Sequence, residues 1–304
     1  MNKKKSYRIV GLLFFLAFGG IIMYSVFRDL TKTKKSIQID SQSGKQTIFI
    51  GKDLKETINN ALVGSRGAYG IAIKNFKTGE AYYLNEHKAF EAGSLYKLWV
   101  MSVVYKQIQE GTLKEDQVLT EDAATLNDKF NIDPELAEQK DGKVTFTLQD
   151  ALNQMITISH NYAALLLTEN VKLSSVASFL KKNGFYESTV GIEGGNPTAT
   201  PKDIALFFEK LYKGELGNKD NTQKMIEILK KQTLNDKLPR YLPQESIAHK
   251  TGEIGVFSHD AGIIFSKKGD YVIAILSQSD FPQGANDRIA LVSYAVHEYF
   301  VGRR

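Results

Sequence analysis

The feature that most constrains this chain is a helical run that is apolar on nearly every side. After Ser94 come Leu95, Leu98, Trp99, Val100, Met101, Val103 and Val104 with almost no polar face. Only a helix enclosed by other elements tolerates that pattern. Around it the hydrophobic period changes twice. Short strand-like runs at 69–73 and 80–84 flank the turn-like Asn75-Phe76-Lys77-Thr78-Gly79 and predict a hairpin. Helical spacing marks 53–63, and then 94–109, 148–156, 161–168, 174–182, 201–212 and 221–231. Strands return at 247–251, 260–266 and 271–277, the last two joined by Lys267-Lys268-Gly269-Asp270, and 285–301 reads as a final helix. Strands at both ends with helices between them predict an α+β fold. An antiparallel sheet of N- and C-terminal strands is flanked by helices and carries an all-helical subdomain.

The net charge of +5 hints at an acidic partner until it is divided along the chain. Residues 1–35 hold Lys3, Lys4, Lys5, Arg8, Arg28, Lys32, Lys34 and Lys35 against Asp29, a balance of +7, which leaves −2 for the remainder. The basic excess belongs to the tail, so no nucleic-acid face is implied. Within that tail residues 9–27 carry no charge. As a helix they would span about 28 Å, close to a hydrocarbon core of about 30 Å. This reads as an uncleaved signal anchor; a signal peptide cut near Ala17-Phe18-Gly19-Gly20 is the alternative. Basic residues flank both ends, so charge alone does not orient it.

The expected division is a cytoplasmic tail and anchor over 1–28, a polar linker over 29–50 and a folded domain over 51–304. The domain is expected to be a monomer. The chain has no cysteine, which excludes disulfides, thiolate metal sites and a cysteine nucleophile. His87, His160, His249, His259 and His297 show no metal-ligand spacing, so neither a metal nor another cofactor is expected. His160 and His249 are placed at the cleft and the other three in structural roles.

Three short motifs carry chemistry: Ser94-Leu95-Tyr96-Lys97, Ser159-His160-Asn161 and Lys250-Thr251-Gly252. Ser-x-x-Lys recurs at Ser178–Lys181 and Lys-Thr-Gly at Lys77–Gly79, so context must decide. Ser94 opens the enclosed helix, where free N–H groups and a partial positive charge face an oxyanion. Lys97 lies on the same helical face. A lysine buried there loses proton affinity and becomes a base for the serine. Ser159-His160-Asn161 sits between two helices, where a simple helix cap is the competing explanation. Lys250, with Thr251, offers a cation to a substrate carboxylate, and Gly252 lets substrate backbone lie along the strand.

These motifs, in this order, resemble class A β-lactamases and penicillin-binding proteins. The resemblance runs from about Leu54 to the C-terminus. It is strengthened by Phe90-Glu91-Ala92-Gly93-Ser94, Ile158 to Ala164, Thr200-Pro201-Lys202-Asp203-Ile204-Ala205 and His249-Lys250-Thr251-Gly252 with Asp260-Ala261-Gly262. It implies Ser94 as nucleophile, Lys97 as its base and Ser159 as proton carrier to the leaving nitrogen. Asn161 would bind the substrate's side-chain amide, and Lys250 and Thr251 its carboxylate. The backbone N–H groups of Ser94 and Glu253 would form the oxyanion hole.

Two departures stand out. The middle motif has His160 where the family has Asp. The segment 184–200 is short and lacks the family's Glu-then-Asn pattern, leaving Glu193 as the nearest deacylation base. β-Lactam hydrolysis through an acyl-serine, outside the membrane, is the expectation. A D-alanyl-D-alanine carboxypeptidase or slow penicillin-binding protein, and a non-catalytic wall-binding or antibiotic-sensing module, are the alternatives.

Overall fold

The computed structural model describes residues 36–41, 44–191 and 195–302. Residues 9–27 and Glu193 lie outside them. Among the described residues no single helix is long and apolar enough to cross a membrane.

The described chain opens with β1 (Ser36–Ser41) and β2 (Gly44–Phe49), an antiparallel pair inside the stretch expected to be linker. Ile48 of β2 is buried against the domain, which fixes this pair to the fold. Asp53 then caps α1 (Leu54–Leu62), its carboxylate accepting from Glu56 N. β3 (Ala68–Asn75) and β4 (Ala81–Leu84) form the expected hairpin, with Asn75 Oδ1 accepting from Lys77 N and Thr78 N. A two-residue strand β5 (Phe90–Glu91) leads into a 3-10 turn (Gly93–Tyr96) and α2 (Lys97–Gln109).

The middle of the chain is not all-helical as expected. β6 (Val118–Asp122) pairs with β7 (Lys143–Thr147), with α3 (Ala123–Lys129) and a long polar loop between them. There follow α4 (Leu148–Thr157), α5 (Asn161–Val171) and α6 (Leu173–Asn183). A second two-residue strand, β8 (Thr198–Ala199), pairs with β5. Thr200 caps α7 (Pro201–Tyr212), whose proline occupies the first turn, and α8 (Lys219–Lys230) closes the helical part. The chain returns through β9 (Ile247–Ile254), β10 (Phe257–Ile264), β11 (Tyr271–Gln278) and α9 (Pro282–Gly302).

The main sheet is antiparallel throughout, in the order β4-β3-β11-β10-β9. N- and C-terminal strands are therefore neighbours, as their shared pattern predicts. Its two faces bury different partners, because side chains alternate along a strand. Ile71, Ile73, Ile273 and Ile275 pack with Ile289 and Val292 of α9 and Ile58 of α1. Ala72, Ala274 and Leu276 face the helical side, where Trp99 and Val100 of α2 lie at 0% exposure with Phe207 and Phe208 of α7. Every residue of α2 from Lys97 to Tyr105 is buried, so the enclosed helix forms as its composition requires.

Candidate active site

Three elements converge at the boundary between the sheet and the helices. The 3-10 turn and first turn of α2 carry Ser94 and Lys97. The bend between α4 and α5 carries Ser159, His160 and Asn161. The edge strand β9 carries Lys250, Thr251 and Gly252. At their meeting point is Ser159 Oγ, which accepts from Lys97 Nζ at 3.1 Å and from Lys250 Nζ at 3.0 Å. Lys97 also donates to Ser159 O at 2.6 Å and to Asn161 Oδ1 at 2.9 Å. Lys250 donates further to Thr251 O at 2.9 Å.

The bend is held in an uncommon shape. Ser159 has φ of +59° without being glycine. Such a residue costs on the order of 1 kcal/mol and persists where its surroundings fix it. Here Lys97 binds both its carbonyl and its hydroxyl. The competing cap explanation is settled by the middle residue. His160 Nδ1 accepts from Ala163 N at 3.2 Å and caps α5. An imidazole thus fills the capping position where the family has Asp, and Asn161 is left with its side chain free for Lys97.

Burial sets the electrostatics. Lys97 is buried in an apolar helix, and desolvation brings its pKa down to about 7, with Glu138 pulling weakly the other way. Its neighbours are neutral oxygens that cannot repay the lost hydration of a cation. Lys250 is also buried, and desolvation, reinforced by Lys97, holds its pKa well below the usual lysine range. An arriving carboxylate would supply the counter-charge it lacks.

Ser94 is partly buried at the start of the 3-10 turn. Among the described residues no hydrogen bond joins it to Lys97, whose amine is turned to Ser159 and Asn161 instead. Catalytic hydrogen bonds are commonly loose before substrate binds. Gly93 has φ of +48°, and a Cβ there would lie 2.7 Å from Glu253 N. Only glycine lets the turn that carries Ser94 approach the strand at Glu253 so closely.

Gly252 answers to the same contact. A Cβ on it would lie 2.7 Å from Ala92 O and 2.8 Å from Leu95 Cγ. The expectation gave this glycine to substrate; its missing side chain also admits the turn that carries Ser94. His249 also departs from expectation. It is buried behind the strand, with Nδ1 2.9 Å from Asp260 Oδ1 and Nε2 3.1 Å from Asn235 Oδ1, and does not line the cleft.

Three residues support the site; His259 was given a structural role by the sequence, and Lys237 and Glu138 escaped it. His259 accepts from Ser277 N at Nδ1 and donates from Nε2 to Glu91 O at 2.7 Å, pinning the strand before Ser94 to the sheet. Burial holds its pKa near 4, so the ring stays neutral. Lys237 reaches the carboxylate of Glu253 and steadies the strand tip. Glu138 accepts from Asn161 Nδ2 at 2.7 Å. No periodicity marks any of them. Of the two carboxylates in segment 184–200, Glu187 is turned outward to His87 at 3.0 Å and Lys202 at 3.2 Å.

The chain and its fold have relatives. The chain is 22% identical over 281 residues to the extended-spectrum β-lactamase PER-1 of Pseudomonas aeruginosa, covering 86% of this chain and 91% of that one. A β-lactamase from Sphaerobacter thermophilus shares the fold at a TM-score of 0.70 and 24% identity, over 81% of this chain and 96% of its own. So does a point mutant of PBP-A solved as an acyl-enzyme complex with penicillin G, with a TM-score of 0.70, 26% identity and the same coverage of 81% and 96%. The model of the β-lactamase enzyme family matches residues 53–300, nearly the whole folded domain with all three motifs inside it, and the chain belongs to that family of serine hydrolases.

Proposed function

We propose that this protein is a membrane-anchored serine hydrolase that opens β-lactams outside the cell membrane through an ester on Ser94. The observation that carries the reading is Ser159 Oγ held between two buried amines, at 3.1 and 3.0 Å. Lys97, as the free amine, takes the Ser94 proton while Oγ bonds to the lactam carbonyl carbon. The N–H groups of Ser94 and Glu253 face the developing oxyanion. As the ring C–N bond breaks, Ser159 gives its proton to the nitrogen and regains one from Lys97. The net result is one proton moved from Ser94 to the leaving nitrogen, with Lys97 and Ser159 restored. Lys250 and Thr251 hold the substrate carboxylate, and Asn161 holds the side-chain amide. The similarity to PER-1 and to the penicillin G acyl-enzyme of PBP-A supports a β-lactam as acyl donor.

Water must then cleave the ester with help from a base. Glu193 is the assigned candidate and lies outside the described residues. The outward turn of Glu187 favours a second reading, in which deacylation is slow and the protein acts as a penicillin-binding protein or D-alanyl-D-alanine carboxypeptidase. Intact-protein mass after mixing with a penicillin separates the two. A transient adduct with antibiotic consumed supports the hydrolase, a lasting adduct on Ser94 supports the second reading, and no adduct removes both.

The anchor rests on the uncharged run 9–27. The full chain should sediment with membranes and resist carbonate extraction, and deletion of 1–35 should release active protein. Full-length protein found soluble with its N-terminus intact would overturn it.

A further inference from the structure

Asn161 sits between two groups of opposite charge. Its Oδ1 accepts from Lys97 Nζ at 2.9 Å, and its Nδ2 donates to Glu138 Oε1 at 2.7 Å. Glu138 belongs to the polar loop between α3 and β7, far from the three motifs in sequence. The loop is built to stay there. Next to Glu138, Gln139 donates its N–H to Tyr162 Oη at 3.0 Å, and its carbonyl accepts from Asn127 Nδ2 at 2.8 Å. Tyr162 directly follows Asn161 on α5, and its hydroxyl also donates to Asn127 Oδ1 at 2.8 Å. The carboxylate is therefore registered to the same turn of helix as the amide it touches, while its side chain remains exposed to the cleft mouth.

A side-chain amide nitrogen carries two N–H bonds. One of those on Asn161 is committed to Glu138. In the proposed reading, the other takes the carbonyl of the acyl donor's side-chain amide. Two acceptors on one NH2 group lie about 5 Å apart at ordinary hydrogen-bond lengths. A substituent on the carbon next to that amide carbonyl would then stand beside the Glu138 carboxylate. A cation there meets a fixed anion; a neutral group gains nothing from it. The donor's own carboxylate is repelled equally in either case, so it does not affect the choice.

We propose that Glu138 is a specificity-determining residue that favours acyl donors carrying an ammonium group on the carbon adjoining the side-chain amide. The inference rests on the acyl-serine reading of the site. It gives a purpose to a carboxylate that the reaction steps leave unused, and it sets substrate preference from a loop outside the three motifs.

The test is a matched pair of penicillins. Ampicillin carries the α-ammonium group, and benzylpenicillin has the same phenyl side chain without it. The second-order acylation rate constants are measured by mass spectrometry at low salt on the full chain and on Glu138→Gln, which keeps an acceptor for Asn161. An exposed ion pair predicts a ratio of ampicillin to benzylpenicillin about three- to fivefold higher in the unaltered protein than in the variant. Raising the ionic strength should shrink that difference. Equal ratios in the two proteins, with both rates lowered together, would mean that Glu138 only positions Asn161 and would overturn the proposal. Unchanged rates would overturn it as well. Absence of any adduct with either penicillin on the unaltered protein is a different failure, since it removes the acylation reading and this inference with it.

Discussion

Two regions of this molecule bury lysines, and they treat the charge differently. On the cleft side Lys97 meets only neutral oxygens, and burial takes its pKa down to about 7. Lys250 is lowered in the same direction by burial and by Lys97, although Asp260 and Glu253 pull the other way. Lys237, beside Glu253, is also buried, and burial again works against its charge. There Asp236, Asp260 and Glu253 outweigh it, and its pKa ends above the ordinary value. Burial alone therefore does not make a base. A buried lysine becomes one when the fold withholds a carboxylate, and it becomes a structural cation when the fold supplies one.

The largest effect that can break this contrast comes from Lys97→Ala. Acylation by a penicillin should fall by on the order of 10² to 10⁴, while the denaturation curve stays cooperative. A near-normal rate would leave Lys97 without the role its environment suggests.

The pH dependence gives two further readings of the same lysine. Because the free amine is the active form, acylation should drop about tenfold per unit below pH 7 and level off above it. A flat profile from pH 5 to 8 would contradict a base with that pKa. Stability should also respond. Lys97 has a folded pKa of about 7 against an ordinary lysine value of 10.5, so between those limits the unfolded chain holds more protons. Its contribution must therefore make stability rise with pH across that window. For Lys237 the sign reverses. Its raised pKa gives stability that is present below 10.5 and lost as pH climbs beyond the folded value. Urea midpoints from pH 7 to 10 should climb less steeply in Lys97→Met than in the unaltered chain; parallel slopes would sink the argument.

A smaller effect is expected from Lys237→Gln. Its carboxylate partners Glu253 and Asp236 are largely exposed and can turn to water, so the loss should be about 1–2 kcal/mol, read as a lower urea midpoint. Acylation should change far less than in Lys97→Ala. A comparable loss of activity would show that the two lysines do not differ in role.

The smallest effect concerns backbone strain, which divides in a similar way. Ser159 at the site and Lys172 between α5 and α6 both have positive φ, +59° and +70°. Ser159 is tied down by two lysines; the exposed Lys172 side chain has no comparable anchoring in the cleft. Lys172→Gly should therefore raise stability by about 1 kcal/mol without touching acylation. A destabilised variant would mean that the lysine side chain matters there.

Much of this was open to reading along the chain because it depends on neighbours in sequence. The apolar run after Ser94 could only be an enclosed helix, and α2 is one. Thr200, Pro201 and Asp203 mark the start of α7 through local capping, since Asp203 N donates to Thr200 Oγ1 at 3.2 Å. The same local logic failed where elements are too short to show a period. β5 and β8 have two residues each, and β6 with β7 interrupts a region whose spacing otherwise reads as helix. The polar composition of 29–50 concealed the β1–β2 pair, whose described anchors are the buried Ile48 and the half-buried Ile37.

What the sequence determined by itself is therefore the cast and the order: a serine at the mouth of a buried helix, a lysine three residues on, a polar bend and an edge-strand lysine. These follow from periodicity and residue type, which act over a few residues. Only the tertiary structure decided which of them share a hydrogen bond. It aimed Lys97 at Ser159, gave the α5 cap to His160, filled the space beside Gly252 with the turn before α2, and brought Glu138 to Asn161. Each of those contacts joins a side chain to a partner chosen by the packing of whole helices against the sheet. No local propensity encodes that choice, because its energy arises only when distant surfaces exclude water together.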